Sequence, residues 1–323
     1  MSRRQSKVRS GIRSSLFLAG LVLFAGGRAE AYQKKGGGDN AADATFERRA
    51  RMATGAVLHQ VQNLADKVDL MIAGRRYVDE LNNTRVSVSQ LITWKEGGAV
   101  DKSTDLGVNL RLPNTERRWQ ARFATYDEDA EERNMQQRRV RTTPRPRDPG
   151  ASLFFLQRLG DIDVSFQPKL QLKNPLEMSY VLKLKSNATY KKIQVNPEAQ
   201  FFVDAQDGAG EYFALNFEGA LAPRTAWHFD NEEEYHELNH QFSTRHGLAA
   251  DYGLSDHQAL GAAFVAQSLN HNFHLDTLNL SGSYAEEIYK DLLRYMISPF
   301  IGFAKVDNFK GKVGITLTVT VIF

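Results

Sequence analysis

Residues 312–323 read Lys-Val-Gly-Ile-Thr-Leu-Thr-Val-Thr-Val-Ile-Phe. Val313, Ile315, Leu317, Val319, Val321 and Phe323 fall on one face of an extended chain, and Gly314, Thr316, Thr318 and Thr320 on the other. Unbroken alternation of this kind marks a β-strand with a different solvent on each side. Left unpaired in water, such a strand is an aggregation hazard, so it requires a partner along both edges.

The same period runs back through most of the chain. Leu106, Val108, Leu110 and Leu112 alternate with Gly107, Asn109 and Arg111, and Trp119, Ala121 and Phe123 with Arg118, Gln120 and Arg122. Ile162, Val164, Phe166, Leu170 and Leu172 oppose Asp163, Ser165, Gln167, Lys169 and Gln171; Met178, Tyr180, Leu182 and Leu184 oppose Glu177, Ser179, Lys183 and Lys185. Phe213, Leu215 and Phe217 face away from Asn216 and Glu218, and Ile297, Ile301 and Phe303 repeat the pattern. A soluble sandwich also alternates. Here, however, charged and amide side chains fill the polar face along whole strands, as a wet lumen requires. The apolar face carries Trp119, Tyr180, Trp227, Phe229, Tyr252 and Tyr284 near strand ends, which suits interfacial girdles.

The fold expected is therefore all-β: an antiparallel transmembrane β-barrel over 83–323. Segments beginning near residues 84, 104, 117, 151, 162, 176, 191, 211, 224, 240, 258, 273, 294 and 311 give about fourteen strands. Twelve is the alternative, because 151–159 and 191–206 alternate least clearly. An even count puts both ends at one side, with tight turns at Pro113-Asn114, Gly160-Asp161, Ala222-Pro223 and Ser255-Asp256. The long Asp127–Gly150 segment falls at the other side. It opens acidic (Asp127, Glu128, Asp129, Glu131, Glu132) and turns basic (Arg138, Arg139, Arg141, Arg145, Arg147). Self-complementary charge would let it fold over the pore, but a solvated surface loop is the reading adopted.

The terminal strand, closing on the aromatic Phe323, resembles the last strand of bacterial outer-membrane β-barrels, whose final aromatic residue is part of the signal read by the assembly machinery. That resemblance, to a porin-like class with no particular family attached, implies a Gram-negative outer-membrane location. It also implies outer-membrane lipid and lipopolysaccharide, the barrel assembly machinery and periplasmic chaperones as partners.

Upstream, Arg3, Arg4, Lys7, Arg9 and Arg13 precede an apolar run over Leu16–Ala25 and an Ala29-Glu30-Ala31 site, so residues 1–31 read as a Sec signal peptide. Residues 32–44 read as a flexible linker. Over 45–82, Val57, Val61, Leu64, Val68 and Met71 form one apolar helical stripe. This predicts a short periplasmic amphipathic helix that rests on the barrel base, plugs its mouth or pairs with copies of itself.

Composition narrows function. The 323 residues, 42% of them hydrophobic, include no cysteine, which excludes disulfides and thiolate chemistry. The formal charge of +3 is inflated by the signal peptide's basic residues, so nothing points to nucleic acid. No cofactor fingerprint is present.

One motif argues for an enzyme. His236-Glu237-Leu238-Asn239-His240 matches H-E-x-x-H and, with His246, resembles the extended zinc pattern of metzincin-type peptidases over about eleven residues. On a helix, His236, His240 and His246 would bind zinc while Glu237 polarised the metal-bound water, and Met296 would supply the family's methionine turn. Ser243 replaces the glycine that the pattern requires, however. From Phe242 to Leu254 the chain alternates as a strand, and that register places His240 and His246 on the outward face. A coincidental match is the reading adopted, and no catalytic residue is assigned.

The candidate functional residues are the inward charges: Arg111, Arg118, Arg122, Lys169, Lys183 and Lys185 against Asp163, Glu177, Glu218 and Asp251. As a pore lining they would favour polar or mildly anionic solutes. Paired across a narrow lumen, they would only hold the barrel together. Passive diffusion of small polar solutes is the function expected. A closed structural or surface-interaction barrel with the N-terminal helix as plug is the alternative, and a zinc peptidase a remote third.

Overall fold

The structure is a computed structural model. It describes residues 85–98, 100–111, 119–204, 208–270, 274–288 and 292–323, with the side chains of Arg111 and Trp119 excepted. The signal peptide, linker and helix expected over 1–82 lie outside the described residues, as do Arg118 and the Pro113-Asn114 turn.

Alternating residues form strands throughout: β1 (Arg85–Lys95), β2 (Asp101–Arg111), β3 (Trp119–Ala124), β4 (Gly150–Leu159), β5 (Ile162–Gln171), β6 (Glu177–Ser186), β7 (Ala188–Tyr190) and β8 (Ile193–Asp204). They continue as β9 (Gly208–Ala222), β10 (Thr225–His236), β11 (Gln241–Gly253), β12 (Gln258–Leu269), β13 (Leu275–Ile288), β14 (Leu293–Ala304) and β15 (Lys312–Ile322). Between β3 and β4 lie two short helices, α1 (Glu128–Glu132) and α2 (Met135–Arg139).

Each strand pairs antiparallel with its sequence neighbours, β1 pairs with β15, and β6 pairs with β8, so the sheet closes on itself. The three-residue β7 pairs only with β8, continuing the line of β6 past Asn187, so fourteen staves make the barrel. Both of the least clear segments, 151–159 and 191–206, are full strands, which decides the count for fourteen over twelve.

The terminal strand completes the closure. Gly314 to Val321 pair with β1 on one side and β14 on the other. At the seam's end the Phe323 N–H donates to the Val86 carbonyl (2.8 Å) and the Val86 N–H donates to the Phe323 carbonyl (3.2 Å). Both edges are satisfied, as closure alone ensures.

Burial separates the two faces on most strands, whereas Val86, Val88, Leu110, Ala121 and Val321 share the outward parity on β1, β2, β3 and β15 and are buried. Outward Phe201, Phe213, Leu215, Leu248, Phe264, Leu280 and Ile315 are exposed although they are large and apolar. A broad exposed apolar exterior on a closed barrel suits the hydrocarbon of a bilayer. Trp227, Tyr252 and Tyr284 stand near the end where β1 starts and β15 finishes, and Tyr180 near the other, as membrane interfaces require. The fold is a closed, fourteen-stave antiparallel β-barrel with an apolar exterior.

Candidate lumen site

The segment between β3 and β4 is not a solvated loop. It enters the barrel and is buried there: Met135 is 0% exposed, and Asp129, Arg133, Val140 and Arg141 are buried too. The expectation of a surface loop is thus corrected, and the reason is local chemistry. Asp127 caps α1, its carboxylate accepting from the N–H groups of Asp129 and Ala130. Asn134 caps α2, accepting from the Gln137 N–H. Acidic residues occupy the first turn of α1 and arginines the last turn of α2, each complementing the helix dipole. The two apolar residues in this charged stretch, Met135 and Val140, pack with Val265 of β12 and Phe300 of β14.

The remaining contacts are ionic and sorted by sign. The acidic limb meets a basic stretch of wall. Glu128 pairs with Arg122 of β3 at 2.6 Å, and Asp127 with Lys169 of β5 at 2.7 Å. Glu132 is held by Lys183 and Lys185 of β6, Lys183 also lies 3.7 Å from Asp129, and Gln167 donates to Asp129 at 2.9 Å. The basic limb meets acidic wall. Arg133 pairs with Glu234 at 3.3 Å, Arg138 with Glu232 and Arg139 with Asp230 at 2.9 Å, all three carboxylates on β10. Arg145 spans Asp105 of β2 at 3.1 Å and Glu131 of its own segment at 2.6 Å, with Arg141 on the same Glu131.

Glu232 is the deepest of these groups. Its side chain is wholly buried and accepts from the Met135 N–H (2.9 Å), the Tyr212 hydroxyl (2.9 Å) and Arg138. A buried carboxylate is tolerable only with this degree of satisfaction.

Within the segment, burial would push the Glu132 carboxyl up, but the Lys183 and Lys185 ammoniums outweigh it and hold it down at about 2. Asp127 is likewise held below its usual range, Lys169 prevailing over burial. Glu128 moves the other way, because burial prevails over Arg122. Burial also lifts the Tyr126 phenol to about 12, beneath the Arg145 guanidinium 4.4 Å from its ring centroid.

Wall residues at this level are buried on strands all round the barrel, among them Thr93 of β1, Lys169 of β5, Gln200 of β8, Glu232 of β10, Val265 of β12 and Thr316 of β15. The segment therefore fills the half of the lumen remote from the start of β1 and the end of β15. Toward the start of β1 and the end of β15 the inward side chains are more open. Asp163 is 72% exposed and lies 3.8 Å from Arg158. Glu218 and Asp251 flank His228 at 3.4 and 3.2 Å.

The structure thus brings four of the sequence-derived candidates, Arg122, Lys169, Lys183 and Lys185, together around the acidic limb. Asp163, Glu218 and Asp251 line the open half, and Glu177 pairs with Lys173 at 3.3 Å at the opposite rim. The Arg111 side chain and Arg118 lie outside the described residues. The basic candidates pair chiefly with the inserted segment, and Lys185 also reaches Glu198 of β8 at 3.2 Å. Sequence reasoning left Asp105, Tyr212, Asp230, Glu232, Glu234 and Met135 unassigned. The signals available were the two helix caps and the isolated apolar residues in the 127–140 stretch.

The H-E-x-x-H stretch is not a helix. His236 ends β10, and residues 237–240 form a turn in which His240 has φ +50°. His236 points inward, 3.2 Å from Glu234 and edge-on to Phe202. His240 lies 3.3 Å from the Tyr235 hydroxyl, and His246 faces outward with its Nδ1 3.0 Å from Asn231. Among the described residues no group of three or more His, Asp or Glu side chains is arranged to hold a metal ion.

No protein-family model matches the sequence, and no curated relative is found. Solved structures with a similar course include the outer membrane channel DcaP of Acinetobacter baumannii, at 7% identity and TM-score 0.46, covering 75% of this chain and 97% of that one. An anion-selective porin from Comamonas acidovorans gives 7% identity and TM-score 0.46, covering 75% and 99%. OccK11 of Pseudomonas aeruginosa gives 8% and 0.45, covering 75% and 96%.

Proposed function

We propose that the protein is an outer-membrane channel for small polar solutes, narrowed by its own 125–149 segment. The observation that carries this is the sorting of charge. The wall's buried cations and anions are held chiefly by one covalently attached segment, so a movement of that segment exposes a charged aqueous path. That path continues into the half already open around Asp163, Glu218 and Asp251. Charged linings of this kind set the selectivity of a pore.

The test uses the absence of native cysteine. Cysteines introduced at Met135 and Val265, which share one apolar cluster, lock the segment when oxidised. The reduced protein is expected to pass small polar solutes in liposome-swelling assays, and the oxidised protein to pass fewer. No permeability in either wild type or reduced variant would sink the proposal. That outcome favours the second reading, a closed structural barrel, for which the burial of wall residues around the circumference speaks.

A further inference from the structure

Two consecutive residues, Glu132 and Arg133, reach wall groups of opposite sign. The Glu132 carboxylate is taken by the ammonium groups of Lys183 and Lys185 on β6. Arg133 donates from Nε to Glu234 of β10 at 3.3 Å, and its guanidinium lies 4.0 Å from the ring centroid of Phe202 on β8. Its backbone carbonyl accepts from Nη1 of Arg245 on β11 at 3.1 Å, and Nη2 of Arg245 donates to Glu234 at 3.0 Å. Carboxylate, guanidinium and peptide carbonyl are thus recognised by groups on four strands, β6, β8, β10 and β11. Lys183, Phe202, Glu234 and Arg245 are all buried, and Lys185 is half-exposed.

When the segment moves, Lys183 loses the two carboxylates that hold it and Phe202 the guanidinium over its ring. Glu234 keeps Arg245 and His236, and Lys185 keeps Glu198 of β8 at 3.2 Å. A free anion or cation compensates one end only. A neutral sugar compensates neither. A dipolar solute with a carboxylate and a guanidinium at dipeptide spacing compensates both, and stacks its cation on Phe202 as Arg133 does.

We propose that Lys183, Lys185, Phe202, Glu234 and Arg245 form a binding site for short dipolar peptides bearing a carboxylate and a guanidinium, and that Glu132–Arg133 is an intramolecular stand-in for that ligand. The passage of such a solute rests on the channel reading; its binding does not. The tethered pair competes at the high effective concentration of an attached ligand, so wild type presents the site to a free peptide only rarely.

The experiment measures binding of blocked dipeptides, acetylated and amidated, to the full chain in detergent by calorimetry. Probes are Glu-Arg, Gln-Arg, Glu-Gln and Gln-Gln. The double variant Glu132→Gln, Arg133→Gln is expected to bind Glu-Arg at least about tenfold more tightly than wild type does, and more tightly than the other three probes. Adding Lys183→Gln is expected to erase the preference for Glu-Arg over Gln-Arg, and adding Glu234→Gln the preference over Glu-Gln. Heat-modifiable gel mobility checks that each barrel is assembled; Lys185→Gln serves in place of Lys183→Gln where the latter does not assemble. Binding of Glu-Arg to the double variant no tighter than to wild type, or no tighter than Gln-Gln, overturns the site. Loss of solute flux with this binding intact overturns the channel instead.

Discussion

Met135 lies against the bare backbone of Gly247: a Cβ at position 247 would fall on the Met135 sulfur. The contact fixes α2 against β11 on the lumen side, next to the apolar cluster with Val265 and Phe300. Gly247→Ala must therefore displace the Met135 side chain from its seat on the wall and loosen the docking of the segment. Overpacking of this kind costs about 1–3 kcal/mol, charged here to docking of the segment and not to the barrel. Faster tryptic cleavage among Arg133–Arg147, with unchanged heat-modifiable mobility, is the expected outcome. Met135→Ala is expected to act in the same direction by leaving a cavity, at about 2–5 kcal/mol.

Glu232 and Asp163 are both carboxylates on the lumen face, and they are expected to respond in opposite ways to removal. Glu232 is wholly buried and satisfies a backbone N–H, a tyrosine and an arginine. Glu232→Ala strands Arg138 and the Met135 N–H, at a cost of about 3–5 kcal/mol in docking. Asp163 is largely exposed, 3.8 Å from an equally exposed Arg158, so Asp163→Ala is expected to leave stability within about 0.5 kcal/mol. Denaturant melts together with tryptic susceptibility of the segment check the contrast. Equal effects of the two substitutions would contradict the burial order.

Docking of the segment is expected to weaken in acid. Glu132 has an ordinary value of 4.5 and is held at about 2 when docked, so its contribution is complete above pH 4.5 and is lost as pH falls toward 2. Asp127, also depressed, acts in the same sense. Glu128 is raised, so it favours docking at low pH and loses that contribution as pH rises through its docked value, partly offsetting the others. Hydrogen exchange over residues 127–145, corrected for intrinsic rates, is expected to show lost protection between about pH 4.5 and 2. Protection unchanged across that window would mean that Lys183 and Lys185 do not hold the segment.

Much of this barrel was legible in the sequence because a strand between two solvents writes its register into every second residue. Ile162 to Gln171 and Lys312 to Ile322 place their side chains on the expected faces. The weakly alternating 151–159 segment still forms a strand, because hydrogen-bonded neighbours on both sides supply what its pattern lacks. The site was harder to read. Glu232 and Arg138 are 94 positions apart, and neither carries a periodic signal of its partner. Acidic and basic blocks in one loop are equally compatible with a solvated surface. What selects insertion is a wall that already holds the complementary charges, Lys169 and Lys183 on one side and Asp230 to Glu234 on the other, and that match exists only after closure.

Closure itself depends on Gly314. On the lumen face of β15 it sits opposite Phe300 of β14 and next to the seam with β1, and the Phe300 ring covers the position that a side chain would take. A Cβ there would also lie 2.6 Å from the Trp94 carbonyl oxygen, which belongs to backbone and cannot swing aside. An aromatic ring laid over a strand glycine pins the register of neighbouring strands, and here it does so where the first and last strands meet. Gly314→Val is therefore expected to separate β15 from β1 and not merely to crowd a flexible neighbour. The fraction of protein with heat-modifiable mobility after refolding is expected to fall well below that of Thr318→Val, which changes the same face of the same strand without meeting the seam backbone. Equal yields from the two variants would show that the seam tolerates a side chain at 314 and that Phe300 does not set its register.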